Sequence, residues 1–526
     1  MTAAASPVWG EGADDRHPRR AGSAAQASPD VSKRPRTLGI RRQFRPRVLG
    51  LLAFALGALA AAPAVIQGAP FDAEACAKGF EDFDRAAAAL GVDPGDARSI
   101  PGFPGLATNR VLGAYDPASL NDAQRSAWLQ RLVDAGLRRR NLQDSSTTGV
   151  TVTADPVPVE VECSALLRQQ FPRPEESLAP LAEAAQVRDD YLSWRRFIGV
   201  YPLTSLPVRL GVGRLQEETR ASFTAPLADL PVEGQLRRYT PLARLEDVPA
   251  LPAAAIDALG VRLARIPPPV LEALFARHAP VLEIDSSGAF DVPGRPYFNQ
   301  RGKPGVDSTR LTAYHYASVM PLAGRLRLQL NYVFWFAARP RSGALDTLGG
   351  ALDGIVWRVT LDEEGRALVY DSIHPCGCYH LFFAGPRLQV REAALRQPEP
   401  PLLPQAAPPL NREQRILLRI ASRTHYLQRV LGVSIKEQAS AESYALSPYE
   451  ELYAVDSSEG LVSLFARHGL VPGTGRGERF YLWPMGIRSP GAMRERGRQA
   501  TAFLGRRHFD DANLLDTLFR LDAAEL

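Results

Sequence analysis

Residues 325–336 read RLRLQLNYVFWF. Leu326, Leu328, Leu330, Tyr332, Phe334 and Phe336 alternate with Arg327, Gln329 and Asn331, and the second row turns apolar at Val333 and Trp335. A period of two puts the first set on one face of a strand and the second set on the other. The strand is therefore expected to have one wet face at its start and two buried faces at its end.

Its neighbours carry the same signal. Thr312–Val319 (TAYHYASV) and Val281–Ile284 precede it as shorter strands. A Gly-rich loop with Asp346 and Asp353 follows, then alternation over Ile355–Leu361, a DEEG turn at Asp362–Gly365 and a returning strand Ala367–Ile373. Strands joined by short turns in this way form an antiparallel meander. The fold class expected is α+β, a helical N-terminal region followed by a C-terminal domain on an antiparallel β-sheet with flanking helices.

Beyond the meander, residues 396–410 (RQPEPPLLPQAAPPL) read as a Pro-rich surface connector. Asn411 is placed to cap an amphipathic helix running to Leu431. Tyr449–Val455 and Glu478–Trp483 read as strands, Ala492–Leu504 and Leu514–Leu521 as closing helices. The GTGRG at Gly473–Gly477 lacks the GK[ST] ending of a phosphate loop and is read as a turn. In the first half, residues 70–265 are expected to be mainly helical. The clearest helix is Ser119–Arg140, with Trp128, Leu129, Leu132, Val133 and Leu137 on one stripe. Val187–Gly199 is expected to turn Tyr191, Trp194 and Phe197 inward, and Leu206–Val212 to form a short strand. The second domain is expected over 280–526.

The N-terminus bears on location. Residues 1–47 are rich in Ala, Ser, Pro and Arg and read as a disordered basic leader. Val48–Ile66 is 19 residues without a charge, preceded by Arg41, Arg42, Arg45 and Arg47. It fits a signal peptide or a single membrane anchor, and in either case the positive flank stays in the cytoplasm. The expected location is the periplasmic face of a bacterial inner membrane, or the periplasm after cleavage, with a membrane partner through Val48–Ile66 and an envelope protein partner as a further expectation. Ten of the 62 Lys/Arg but four of the 57 Asp/Glu lie in residues 1–47, so the rest of the chain is charge-balanced and carries no footprint for nucleic acid. Cys76 and Cys163 bracket the helical region and are candidates for one disulfide in an exported chain.

The densest reactive stretch is residues 369–383, VYDSIHPCGCYHLFF, which packs His374, Cys376, Cys378 and His380 into seven residues. In an extended strand these side chains would share a face but lie about 6.6 Å apart in succession, too far for one metal to gather all four. Pro375 and Gly377 are the residue types that bend chains, so a turn over His374–Cys378 is expected.

Three chemistries follow. The leading one is a soft-metal site for zinc or copper using His374, Cys376, Cys378 and His380, with His315 from TAYHYAS adding an imidazole. A Cys376–Cys378 disulfide in a structural or interaction module is the second. A thiol-nucleophile hydrolase is the third, with Cys376 or Cys378 as nucleophile, His374, His380 or His315 as base, and Asp371 or Asn331 as orienter. His425, flanked by hydrophobic residues, reads as an ordinary surface or core histidine, and His508 in GRRHFDD as part of a charged tail segment. The chain has no HExxH, GxSxG or EF-hand pattern.

Overall fold

A computed structural model describes residues 72–90, 94–148, 158–169, 178–242, 266–436 and 441–522. Val48–Ile66 lies outside them; no helix among the described residues is long and apolar enough to cross a membrane.

Ten strands form the main sheet: β1 (Gln235–Pro241), β2 (Val281–Ser286), β3 (Thr312–Leu322), β4 (Arg325–Arg339), β5 (Gly350–Leu361), β6 (Ala367–Ile373), β7 (Leu381–Ala384), β8 (Gln414–Ile420), β9 (Leu427–Ser434) and β10 (Glu442–Pro448). Their order is β7-β6-β5-β4-β3-β10-β1-β2-β8-β9. The half from β3 to β7 is the antiparallel meander read from the sequence. The other half is mixed, because β10 runs parallel to both β3 and β1, and β8 runs parallel to β2. The fold is thus α+β, with a sheet that is not purely antiparallel.

β4 buries both of its alternating rows, and the wet face expected at its start is not found: Arg327, Gln329 and Asn331 are buried as well. Leu328, Leu330, Tyr332, Phe334 and Phe336 enter the core on one face, packed with Leu274 and Phe275 from a helix. Val333 and Trp335 enter a second core on the other face with Tyr449, Leu452 and Phe465. Burial on both sides of the sheet fixes the register, since a one-residue slip would exchange both sets.

The helices that matter here are α1 (Ala73–Leu90), α2 (Asp122–Thr148), α3 (Pro158–Gln169), α4 (Ser193–Ile198), α5 (Tyr201–Thr224) and α6 (Pro268–His278). Trp128 and Leu132 of α2 are fully buried, and Trp128 Nε1 donates to Leu112 O at 3.0 Å. Cys76 of α1 and Cys163 of α3 form the expected disulfide, closing a separation of 87 residues. Constraining a loop of that length in the unfolded chain stabilises by about 4 kcal/mol in the entropic account. The C76S/C163S double variant should accordingly unfold at lower urea concentration, by a shift equivalent to roughly that amount, which equilibrium denaturation measures.

Several local expectations give way to tertiary context. The span Asn411–Leu431 is a hairpin of β8 and β9, not a helix. Its apolar residues satisfy a helical spacing, but Ser422 and Thr424 tie the Ala421–Tyr426 connection into a tight turn instead. Leu206–Val212 belongs to α5, which carries Pro207 inside it, rather than to a strand. Tyr449–Tyr453 and Gly477–Phe480 are 3₁₀ turns, and Ala492–Leu504 is irregular chain. Only Leu514–Leu518 is helical at the end, with Phe519–Leu521 a short strand. In α4, Trp194 and Phe197 face solvent, and only Tyr191 of the expected inward set is buried.

Candidate functional site

The site is built where β6 ends. His374 to Cys378 close a turn in which His374 N donates to Cys378 O at 3.0 Å and Gly377 N to His374 O at 2.8 Å. The bend at Pro375 and Gly377 is the one the sequence required. Gly377 has φ +91°, and a Cβ there would lie 2.2 Å from Ala500 O. Gly377→Ala therefore combines backbone strain with a backbone clash, and should destabilise the protein by at least about 2 kcal/mol while displacing both cysteines, an effect that thermal unfolding and thiol-labelling rates report together.

The turn sends its side chains two ways. His374 points inward: its Nδ1 is 3.0 Å from Asp353 Oδ1. The other oxygen, Asp353 Oδ2, is 3.0 Å from His425 Nδ1, and His425 Nε2 reaches Asp291 Oδ1 at 3.3 Å and Phe290 O at 3.2 Å. Every partner of the His425 ring is an acceptor, so both nitrogens must donate and the ring is an imidazolium. Burial opposes that charge, but Asp291 and Asp353 outweigh it and raise the His425 pKa. Asp353 is fully buried too, yet His374 and His425 hold it well below the usual carboxylate range. Phe336 stacks flat on His425 with ring centroids 4.1 Å apart.

The second direction holds Asp371, His380 and the thiols. Arg358 grips Asp371 with Nε at 2.9 Å and Nη2 at 2.6 Å, and its guanidinium lies 3.5 Å from the Phe509 ring centroid. Asp371 Oδ2 is 2.9 Å from His380 Nε2. Burial lowers the His380 pKa to about 4, with Asp371 offsetting part of the effect. The ring is therefore neutral at neutral pH. Its Nε2–H donates to the carboxylate, and Nδ1 is left as a buried lone pair without a hydrogen-bond partner.

Cys376, Cys378, Tyr379 and His380 line one side of a cavity of about 600 Å³. Glu478 and Arg507 line the same cavity, as do Thr204, Pro207, Val208 and Leu215 of α5. The two cysteines are not bonded to each other. Cys378 N donates to Cys376 Sγ at 3.3 Å, and the neighbouring Cys376 thiol together with burial holds the Cys378 thiol well above its ordinary pKa. Arg494 lies beneath the turn, its Nε donating to Cys376 O at 3.1 Å. Burial raises the Glu478 carboxyl to about 7 against the pull of Arg339, Arg476 and Arg494.

Four non-glycine residues around this cluster hold left-handed backbone: Leu352 (φ +50°), Tyr379 (φ +61°), Arg423 (φ +62°) and His425 (φ +53°). Leu352 directly precedes Asp353, and the other three sit in the two loops that meet at His374. Such residues cost about 1–3 kcal/mol each and persist where the surroundings impose them, characteristically at functional sites.

Of the residues singled out from the sequence, the structure brings Cys376, Cys378 and His380 to one cavity and sets Asp371 behind His380. His374 turns away to Asp353. His315 lies two intervening strands from β6, its ring 4.3 Å from Phe275, and lines a different cavity of about 430 Å³ together with Asn331. His508 is buried against Tyr191, accepts from Asp190 N at 3.2 Å, and locks the C-terminal segment to the start of α4. Among the described residues, no three His, Cys, Asp or Glu side chains are grouped so as to hold a metal ion. Sequence reading missed Glu478, Asp291 and the role of His425. The Asp-Gly pair at Asp353–Gly354, interrupting a strand, was the available signal for Asp353.

No protein-family model, curated protein or solved structure matches the chain.

Proposed function

We propose that this chain is a thiol–disulfide oxidoreductase of the cell envelope, with Cys376 and Cys378 as its redox-active dithiol. The observation that carries this reading is two unbonded thiols on one tight turn, with Cys378 N donating to Cys376 Sγ, at the wall of a cavity large enough for a ligand and lined also by Glu478, whose carboxyl burial raises to about 7. In the forward direction one thiol gives its proton to Glu478 and attacks a sulfur of a substrate disulfide. One substrate thiolate leaves and is protonated. The second cysteine then attacks the mixed disulfide, releasing the other substrate thiol and closing Cys376–Cys378. Two electrons and two protons pass from protein to substrate, and the reverse sequence reoxidises it. His380, fixed by Asp371, lines the same cavity with its Nδ1 unengaged. With a pKa near 4 it holds the ring in place without carrying the proton.

Hydrolysis by a thiolate is less well supported, because the Cys378 pKa is raised and neither His374 nor His380 is hydrogen-bonded to sulfur. A second reading is a soft monovalent metal such as copper(I) held by the two thiolates, favoured by the proximity of the sulfurs; zinc would need ligands beyond these two.

Single variants C376S and C378S test the proposal. Incubated with an aromatic disulfide, one of them should trap a stable mixed disulfide, visible by mass, that the wild type resolves. Trapping in neither variant, with stoichiometric copper in purified wild type, would favour the metal reading instead. The rate of wild-type thiol exchange should rise through about pH 7 as Glu478 ionises and becomes able to take the thiol proton. Glu478→Gln should remove that inflection and slow exchange by about 10–100-fold at pH 8. A stopped-flow pH profile of both proteins checks it.

A further inference from the structure

α5, which walls the cavity, and α4 directly before it carry an unusual outer surface. On α4, Trp194, Phe197 and Ile198 are exposed, Phe197 by 86%. On the first half of α5, Leu203, Leu206 and Leu210 recur at a spacing of three and four and are also exposed, Leu210 by 76%. Phe480 and Tyr481 are exposed as well, and Tyr481 shares the cavity wall with α5. These are not frayed elements. Leu192 N donates to Gly486 O at 2.7 Å, Arg196 Nε to Met485 O at 2.8 Å, and Gly199 is packed so closely on Pro484 that a Cβ would lie 2.5 Å from its Cβ. The apolar surface is held outward by the fold, and clusters of this size on a protein surface mark interaction sites.

Charge identifies what the surface fits. From Tyr191 to Gln216 the chain has four arginines, Arg195, Arg196, Arg209 and Arg214, and no Asp or Glu; Arg195 and Arg196 donate to backbone carbonyls of Met485, Ile487 and Gly505, while Arg209 and Arg214 are exposed, Arg214 beside Glu218. The Arg195 guanidinium lies 5.4 Å from the Trp194 ring. A protein partner that buried this face would leave arginines to be desolvated or paired one by one. A bilayer of anionic lipids takes the leucines and aromatics at the acyl boundary and the arginines at the headgroups in one plane. Tryptophan is enriched at that depth. The apolar run Val48–Ile66 lies a few residues before the first described residue, so the chain carries a second, independent feature suited to a membrane.

We propose that α4 and the first half of α5 lie in the interface of an anionic membrane. Trp194, Phe197, Ile198, Leu203, Leu206 and Leu210 enter the acyl boundary, and the exposed Arg209 and Arg214 contact the headgroups. The opposite side of the same helix, through Thr204, Pro207, Val208 and Leu215, walls the cavity, so docking sets the thiol cavity next to the lipid surface. The membrane surface follows from exposure and charge alone and does not depend on the dithiol chemistry.

Trp194 reports the docking directly. The full chain and its W194F variant are reconstituted in phosphatidylglycerol vesicles with and without brominated acyl chains, and the difference between the two proteins isolates Trp194 emission. The expected result is a blue-shifted Trp194 signal quenched at least about twofold by brominated lipid, and abolition of that quenching in F197S/L203S/L210S while the protein still sediments with the vesicles through its N-terminal run. Unchanged Trp194 emission in vesicle-bound protein would overturn the inference. So would shielding of Trp194 from iodide in the absence of lipid, which would mean that a second copy or residues 243–265 cover the face. The disulfide content and far-ultraviolet circular dichroism of the triple variant exclude misfolding as the cause.

Discussion

Asp353→Ala is expected to cost about 3–5 kcal/mol of unfolding free energy, because it strands two histidines that share one buried carboxylate. Oδ1 also accepts from Gly354 N at 2.9 Å, so the variant leaves three donors unmet. Asp353→Asn keeps one acceptor oxygen and should cost less, which separates loss of charge from loss of shape. Urea denaturation of both variants gives the comparison. The pH dependence has opposite signs for the two kinds of group. Asp353 has a depressed folded pKa, so its contribution is present above its unfolded value near 4 and is lost as pH falls toward the folded value. His425 has a raised folded pKa, so its contribution is complete below about 6.5 and is lost as pH rises through the folded value. The Asp353→Ala variant should therefore lose much of the wild type's stability advantage near pH 6, where both terms operate.

Arg358→Met is expected to have a similar effect, about 3–5 kcal/mol, for a different reason. The substitution preserves side-chain bulk but leaves Asp371 fully buried with only the neutral His380 as partner. It also changes the acid limb. In the wild type the His380 folded pKa of about 4 lies below the unfolded value near 6.5, so stability is full above about 6.5 and falls as pH drops toward 4, by roughly 3 kcal/mol across that window. Without Arg358, Asp371 is free to stabilise imidazolium, the His380 pKa rises, and the fall between pH 6.5 and 4 becomes shallower. Unfolding free energies at pH 7.5 and 4.5 for wild type and variant test both halves: the deficit should be larger at 7.5 than at 4.5.

These two carboxylates show which part of the site was legible in the sequence. Alternation in residues 325–336 was enough to place β4 and the neighbouring meander, because the period of a strand is a local property, but not to show that Arg327, Gln329 and Asn331 are buried too. Pro375 and Gly377 were enough to require a bend. The disulfide followed from two cysteines bracketing a region. The partners of the histidines were not local. Asp353 reaches His425 across 72 residues of sequence, and Asp291 reaches it across 134, through a hairpin whose sequence also satisfies a helical spacing. No pattern in one chain discriminates those two readings of Asn411–Leu431; the parallel pairing of β8 with β2 decides it. Glu478 was hidden for a related reason. It lies in a 3₁₀ turn of a largely irregular C-terminal segment whose shape comes from buried arginines such as Arg476, Arg494 and Arg496 bonding to backbone and side-chain acceptors, not from apolar periodicity. Trp194 and Phe197 of α4 were read as inward-facing, and Leu206–Val212 of α5 as a strand, because hydrophobic spacing alone does not say which face the fold covers.

The central claim is that Cys376 and Cys378 exchange reversibly between dithiol and disulfide in the folded protein. Equilibrating native protein across a series of reduced to oxidised glutathione ratios, trapping free thiols by alkylation and reading the 369–383 peptide by mass tests it most directly. The predicted result is a two-electron transition in which this peptide passes from the doubly alkylated form to a disulfide two mass units lighter than the unalkylated dithiol, and back on reduction, while Cys76–Cys163 stays bonded throughout. Both thiols alkylated at every ratio, or a bond from either cysteine to Cys76 or Cys163, would contradict the account.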